Sequence, residues 1–129
     1  MKEASLPYDV LFQRHLHKTT SVVFFCVVKD RSVRVRLYDN GEIDGDTISV
    51  YLGNKLVLAE KRLTAAPLEI RFELTEDIEQ EITMVAENLG TIPPNTSLMI
   101  VEAGGERFEI RITSTEQKNA VVRFRYRPE

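Results

Sequence analysis

Residues 32–38, "SVRVRLY", place Val33, Val35 and Leu37 on one parity and Arg34, Arg36 and Tyr38 on the other, as in a strand with one buried and one wet face. The same period of two returns in "TISVYL" (47–52) through Ile48, Val50 and Leu52, and in "LEIRFEL" (68–74) through Leu68, Ile70, Phe72 and Leu74. "RFEIRI" (107–112) puts Phe108, Ile110 and Ile112 on one face, and "AVVRFRY" (120–126) does so with Ala120, Val122, Phe124 and Tyr126. "VVFFCVVK" (22–29) is apolar on both parities and reads as a central strand covered on both faces. Turn residues separate these runs at the spacing of an all-β sandwich.

Two hairpins follow from the turns. In "SLMIVEAGGERFEIRI", a two-residue Gly104-Gly105 turn sets Val101 opposite Phe108, Met99 opposite Ile110 and Glu102 opposite Arg107. In "YLGNKLVL", a Gly53-Asn54 loop would pair Tyr51 with Leu56, whereas a three-residue loop pairs Leu52 with Leu56 and Val50 with Leu58. The longer loop keeps apolar residues facing each other and is the one expected. "TEDIEQEITMVAENLG" mixes helical spacing with alternation, and the alternation of Ile82, Met84 and Ala86 favours a strand at about 81–87. Residues 1–20 read as a short helix or an extended arm, with Tyr8, Leu11, Phe12 and His15 on a helical stripe behind Pro7. Residues 21–129 then form a single β-sandwich domain.

Composition narrows the class. A chain of 129 residues with 43% hydrophobic and 29% charged positions can bury a core without metal or disulfide support. The net charge of −3 gives no electrostatic reason to expect nucleic acid as a partner. Cys26, the one cysteine, excludes an internal disulfide. The longest apolar run, "VVFFCVV", is too short to span a bilayer, which takes ~20 residues. It also lies behind a mixed-charge segment with no small-residue cleavage site after it, so no signal peptide is expected in this chain.

The stretch that most resembles a site is "YDNGEIDGD" (38–46). Read from Asn40 it gives N-x-E-x-D-G, the spacing at which calcium loops present their first, third and fifth ligands before a turning glycine. The twelfth position, where a bidentate glutamate belongs, falls on Tyr51. Asp39, Asn40, Glu42, Asp44 and Asp46 are therefore calcium candidates. The preferred reading is two consecutive turns at Asn40-Gly41 and Asp44-Gly45, with the Asp39 and Asp44 carboxylates accepting backbone N–H groups two residues on.

Other candidates are weaker. Cys26 within "FFCVV" reads as a small buried hydrophobe rather than a nucleophile, and His15-x-His17 lacks an identifiable third zinc ligand. Arg34 and Arg36, Arg107 and Arg111, and Arg123, Arg125 and Arg127 would make a basic stripe if their strands were adjacent. A face laced with Glu102, Glu106 and Glu109 is preferred because the chain is net acidic. Carbohydrate sites usually offer aromatic platforms, and here there is no tryptophan; Tyr38 and Tyr51 lie on the outward parity near the acidic turn.

"LYDNGEIDGDTISVYLGNKLVL", "MVAENLGTIPPNTSLMIV" and "RFEIRITSTEQKNAVVRFRY" together resemble a β-sandwich module of bacterial secreted and cell-surface proteins. The resemblance spans roughly residues 31 to 127. Asp39, Gly41, Asp44, Gly45 and Asp46 match its acidic turn; Asn88, Gly90, Pro93, Pro94 and Asn95 match its second block; Lys118 and Asn119 match its third. Gly53-Asn54 stands where the module has Asn-Gly. The resemblance implies an accessory, non-catalytic role outside the cytoplasm, with other domains or proteins at the cell surface as partners.

The expectation is an all-β, two-sheet antiparallel β-sandwich of about eight strands, immunoglobulin-like or jelly-roll in outline, serving as a non-enzymatic accessory or interaction module. A calcium-stabilised carbohydrate- or surface-binding module is the alternative. An enzyme ranks last, since no acid/base or nucleophile pair can be assembled. Phe72, Phe108, Ile110, Val122 and Phe124 should be core, and Arg34, Arg36, Arg111 and Arg125 solvent-facing.

Overall fold

The alternating segments become strands in a computed structural model that describes residues 19–39, 46–88, 95–114 and 118–128. The strands are β1 (Thr19–Val28), β2 (Ser32–Asp39), β3 (Thr47–Leu52), β4 (Lys55–Arg62), β5 (Leu68–Glu73), β6 (Gln80–Asn88), β7 (Asn95–Ala103), β8 (Glu106–Ser114) and β9 (Lys118–Tyr126). They form a five-stranded sheet, order β1-β9-β6-β3-β4, and a four-stranded sheet, order β5-β2-β7-β8. All pairings are antiparallel except β1 with β9. The described residues contain no helix. The result is the expected two-sheet β-sandwich, with nine strands among the described residues.

The inward parities meet in one core. Val33, Val35 and Leu37 of β2 and Met99 and Val101 of β7 face Ile82, Met84, Ala120, Val122 and Phe124 of the other sheet. The Phe72 and Phe124 rings meet edge to face across the sandwich, with centroids 5.2 Å apart. Ile110, Val122 and Phe124 are buried as expected, while Phe72 and Phe108 are half-buried against the core's margin. Arg111 is exposed, and Arg34, Arg36 and Arg125 are half-exposed on outward parities.

The β7–β8 hairpin has the expected register, including Val101↔Phe108, Met99↔Ile110 and Glu102↔Arg107. The β3–β4 hairpin corrects the expectation of a three-residue loop. Leu52 pairs with Lys55 around a two-residue Gly53-Asn54 turn, and Tyr51 pairs with Leu56. Val50 still reaches Leu58, because β4 bulges between those two pairs. The bulge thus combines one pairing from each alternative, Tyr51–Leu56 and Val50–Leu58, while the Leu52–Leu56 pairing of the longer loop is not made. In each hairpin the positive φ, 61° at Gly53 and 61° at Gly104, falls on the first turn residue, the sign order of a type II′ turn. A side chain is strained there. At Gly104 a Cβ would also lie 3.1 Å from the Asp30 side chain of the β1–β2 turn.

β1 is the main correction. The run read as a doubly covered central strand lies at the edge of the five-stranded sheet. Cys26 and Val28 enter the core, but Phe24, Phe25 and Val27 are 41%, 44% and 44% exposed. Apolar side chains on both parities do not establish that both faces are covered. The expected strand at about 81–87 is β6, and Thr75 and Ile78 close a tight turn before it. The proposed arm at residues 1–20 lies, through residue 18, outside the described residues.

Phe124→Ala should cost about 3–5 kcal/mol, since it opens the core and removes the ring contact with Phe72. Phe108→Ala should cost less, and Arg125→Ala should stay within about 0.5 kcal/mol. Urea denaturation of the three variants checks this order.

Candidate functional site

The acidic stretch bridges the two sheets. Asp39 ends β2 in the four-stranded sheet and Asp46 directly precedes β3 in the five-stranded one. Asn40, Glu42 and Asp44, with the Asn40-Gly41 and Asp44-Gly45 turns, lie outside the described residues. Both flanks are anchored to the return crossing from β4 to β5. The Asp39 N–H donates to the Thr64 carbonyl at 3.0 Å, and the Leu63 N–H donates to the Asp46 carbonyl at 2.9 Å. Leu63 is buried in the core between these bonds, and Asp46 is itself only 2% exposed. Main-chain bonding thus sets the positions of Asp39 and Asp46. Among the described residues, no group of three or more His, Cys, Asp or Glu side chains converges on one point.

His15 and His17 lie outside the described residues. Cys26 is fully buried, and burial pushes its thiol up to about 12, so the thiolate form that attacks electrophiles is suppressed.

The arginines divide between two faces, which removes the single stripe considered from sequence. Arg123 and Arg125 belong to β9 on the outside of the five-stranded sheet, where Arg123 Nε lies 2.6 Å from Glu81 and Arg125 Nη1 3.6 Å from Glu79. Arg34, Arg36, Arg71, Arg107 and Arg111 lie outside the four-stranded sheet. There the registers build a row Arg71–Arg34–Glu102–Arg107 and beside it a row Glu69–Arg36–Ile100–Glu109. Glu102 binds two cations from β2, Arg34 through Nε at 3.1 Å and Arg36 through Nη2 at 2.8 Å, with Arg107 at 4.0 Å. Arg71 turns to Glu69 and Arg107 to Glu109. The glutamate-laced face preferred from sequence is present through Glu102 and Glu109, joined by Glu69, whereas Glu106 falls on the opposite parity of β8 and accepts from the Lys29 N–H. The sequence showed the Glu102–Arg107 register but not the closer arginines of β2, which pair across a sequence gap no turn signals.

The Arg34 hydrogen bond, with the charges of Arg34 and Arg36, holds the Glu102 carboxyl below its ordinary value despite partial desolvation. The Arg71 hydrogen bond does the same for Glu69. The long side chains of Arg36 and Glu109 flank Ile100, which is 4% exposed although it points outward. A shallow depression of about 630 Å³ opens at one end of this face, lined by Ser32, Arg34, Arg71, Glu73, Glu102 and Arg107. Both signs of charge line it, and most are already paired.

Tyr38 and Tyr51 do not share a platform. Tyr38 is half-buried on the four-stranded sheet, and Tyr51 is 2% exposed on the five-stranded sheet.

The surface that sequence reasoning missed is the β1 edge. Phe25 and Val27 pair across to Arg123 and Arg125, so their exposed side chains stand beside the Arg123–Glu81 and Arg125–Glu79 ion pairs. The apolar outward parity of "FFCVV" was the signal. Comparison of the chain with family models, curated proteins and solved structures gives no match. No helix among the described residues is long and apolar enough to cross a membrane.

The depressed Glu102 carboxyl sets a pH dependence. Its ordinary value is near 4.5, so its contribution is complete above that pH and disappears as the pH falls through the lower, folded value. Glu102→Gln should melt below wild type at about pH 7, with the gap closing towards about pH 3. Thermal melts followed by circular dichroism across that range check the closing gap.

Proposed function

We propose that the chain is a non-catalytic interaction module that docks a partner along β1, as part of an exported or surface-associated assembly. The exposed apolar edge of β1 carries this reading. Sheet edges present unpaired main-chain groups and are ordinarily protected by charge or bulges. The other three edge strands fit that rule: β4 carries Lys55, Glu60, Lys61 and Arg62 with two irregular steps, β5 carries Glu69, Arg71 and Glu73, and β8 alternates Glu106, Arg107, Glu109 and Arg111. Residues 24–28 of β1, "FFCVV", have no charge.

An added strand would supply main-chain hydrogen bonds, and Phe25 and Val27 would supply apolar contact. The Arg123–Glu81 and Arg125–Glu79 pairs form a charged border that sets orientation, an apolar centre beside a polar rim. The resemblance to secreted and cell-surface modules supports the location.

In cells that produce the protein, p-benzoylphenylalanine in place of Phe25 should yield a discrete cross-linked adduct on irradiation. The same group in place of Lys61, exposed on β4, should not yield that adduct, and Val27→Lys should abolish it. Equal labelling at both positions, or no adduct at position 25, would overturn the reading.

A second reading, a calcium-stabilised surface- or carbohydrate-binding module, is favoured by the burial of Asp46 at the mouth of the acidic turn. Calcium binding there should raise the melting temperature in millimolar calcium relative to EDTA, and Asp44→Asn with Asp46→Asn should remove the rise. Extracellular modules bind calcium with dissociation constants of about 10⁻⁴–10⁻³ M, which sets the concentration range. Equal melting temperatures in calcium and EDTA would remove this reading, and a soluble sugar array tests its carbohydrate branch separately.

A further inference from the structure

The open side of β1 is defined residue by residue. The Arg127 N–H donates to the Val28 carbonyl at 2.8 Å, so the main-chain groups of Val28 point at β9. In a strand the N–H and C=O of one residue point to the same side, and that side alternates along the chain. Phe24 and Cys26 therefore also face β9, while Phe25 and Val27 face the other way, where no described strand lies. Lys29 is the next residue on that side, and its N–H already donates to the Glu106 carboxylate at 2.9 Å. At the other end the ladder with β9 shifts between Val22 and Phe24, and a bulge interrupts the regular spacing of the main-chain groups. The regular open edge is thus residues 24–28, with Cys26 at its centre.

What this stretch offers is symmetric about Cys26. Its free main-chain groups belong to Phe25 and Val27, one residue to either side. The same two residues carry the outward side chains, each 44% exposed, and Phe24, on the parity of Cys26 and Val28, is 41% exposed. Residues 24–28 carry no charge. Such a strand is complementary to itself turned end for end.

We infer that the partner docked along β1 is a second copy of this chain, paired antiparallel about a two-fold axis at Cys26. This rests on the docking reading for β1 and names its occupant. The axis sets Phe25 opposite Val27 of the second copy, and Val27 opposite its Phe25. Both are hydrogen-bonded pairs, exchanging N–H···O bonds in both directions through the groups that each edge leaves open. On the outer face each is an aromatic–β-branched pair, a favourable cross-strand combination. Phe24 falls opposite Val28 of the second copy, so every exposed apolar side chain of residues 24–28 gains cover.

Charge selects the same occupant. The outer row runs Glu81–Arg123–Phe25 in one copy and continues Val27–Arg125–Glu79 in the other. Its two arginines stand three strand spacings apart, about 14 Å, beyond the screening length of about 8 Å at physiological salt. Each also has its own glutamate, so like charges do not oppose the association. A strand that fits this edge must be uncharged along the paired stretch and apolar at its outward positions. Of the four edge strands only β1 is so built, since β4, β5 and β8 are charged. The contact is therefore β1 to β1, and it closes as a dimer rather than extending into a filament.

The test uses the purified full-length chain. Sedimentation velocity should show a concentration-dependent monomer–dimer equilibrium, and Phe25→Glu or Val27→Lys should each abolish the dimer. Both positions are exposed, and unchanged thermal melts of the dilute monomers check that the variants fold. Mixing the Phe25→Glu chain with the Val27→Lys chain should restore the dimer, because the register sets the two substituted positions opposite each other. A wild type that stays monomeric at all concentrations, a dimer that survives Val27→Lys, or a mixture that stays monomeric would each overturn the inference. A monomeric purified chain whose cellular cross-link from position 25 runs to a different protein overturns the second copy and leaves the docking reading standing. A monomeric chain with no cellular adduct removes both.

Discussion

A chain that leaves one sheet for the other at six of its eight connections must satisfy its main chain at both ends of the core. Where crossings run side by side, they do this for each other. The crossing after β4 receives a hydrogen bond from Asp39 and donates one to Asp46, so the outgoing and returning segments hold one another. At the opposite end, Leu74 N–H bonds to the Arg31 carbonyl and Arg127 N–H to the Val28 carbonyl, tying together the segments after β5, β1 and β9. Asp30 also accepts from the Ser32 N–H and packs against Gly104, which closes the turn between β1 and β2 onto the β7–β8 hairpin. Sheet spacing, and with it the interdigitation of Phe72 and Phe124, depends on these ties.

The strands themselves were largely legible. Val33, Val35 and Leu37 or Ile48 and Val50 alternate because one face packs and the other does not, a local constraint that leaves a local trace. Hairpin registers were legible where a glycine turn fixes them, as at Gly104. Neighbours distant in sequence left no such trace. The placement of β9 between β1 and β6, the division of the arginines between two faces and the edge position of β1 all depend on long-range pairing. The β4 bulge was missed for a related reason: a rule assuming regular pairing forces a choice between Tyr51–Leu56 and Val50–Leu58, and one extra residue permits both.

Of the candidate sites, the acidic stretch was visible through its composition, but the anchoring of its flanks was not, because Leu63 and Thr64 carry no motif. Glu102 was placed opposite Arg107 correctly, and its stronger partners come from β2. The two outer faces also differ in physical character. On the four-stranded sheet, paired charges with long stems shield what little apolar surface points outward, and screening by salt limits the strength of each exposed pair. On the five-stranded sheet, short polar and apolar residues give way towards β1 to exposed aromatic surface.

The parallel pairing of β1 with β9 has a kinetic side. During synthesis β1 emerges first of the described strands, but its sheet neighbour emerges last, and β9 also separates β1 from β6. Until residues 118–126 are available, "FFCVV" has no ladder to join and the five-stranded sheet lacks its second strand. Such long-range closure slows folding and prolongs the exposure of partly assembled intermediates. A nascent chain of this topology completes the five-stranded sheet only once β9 has left the ribosome.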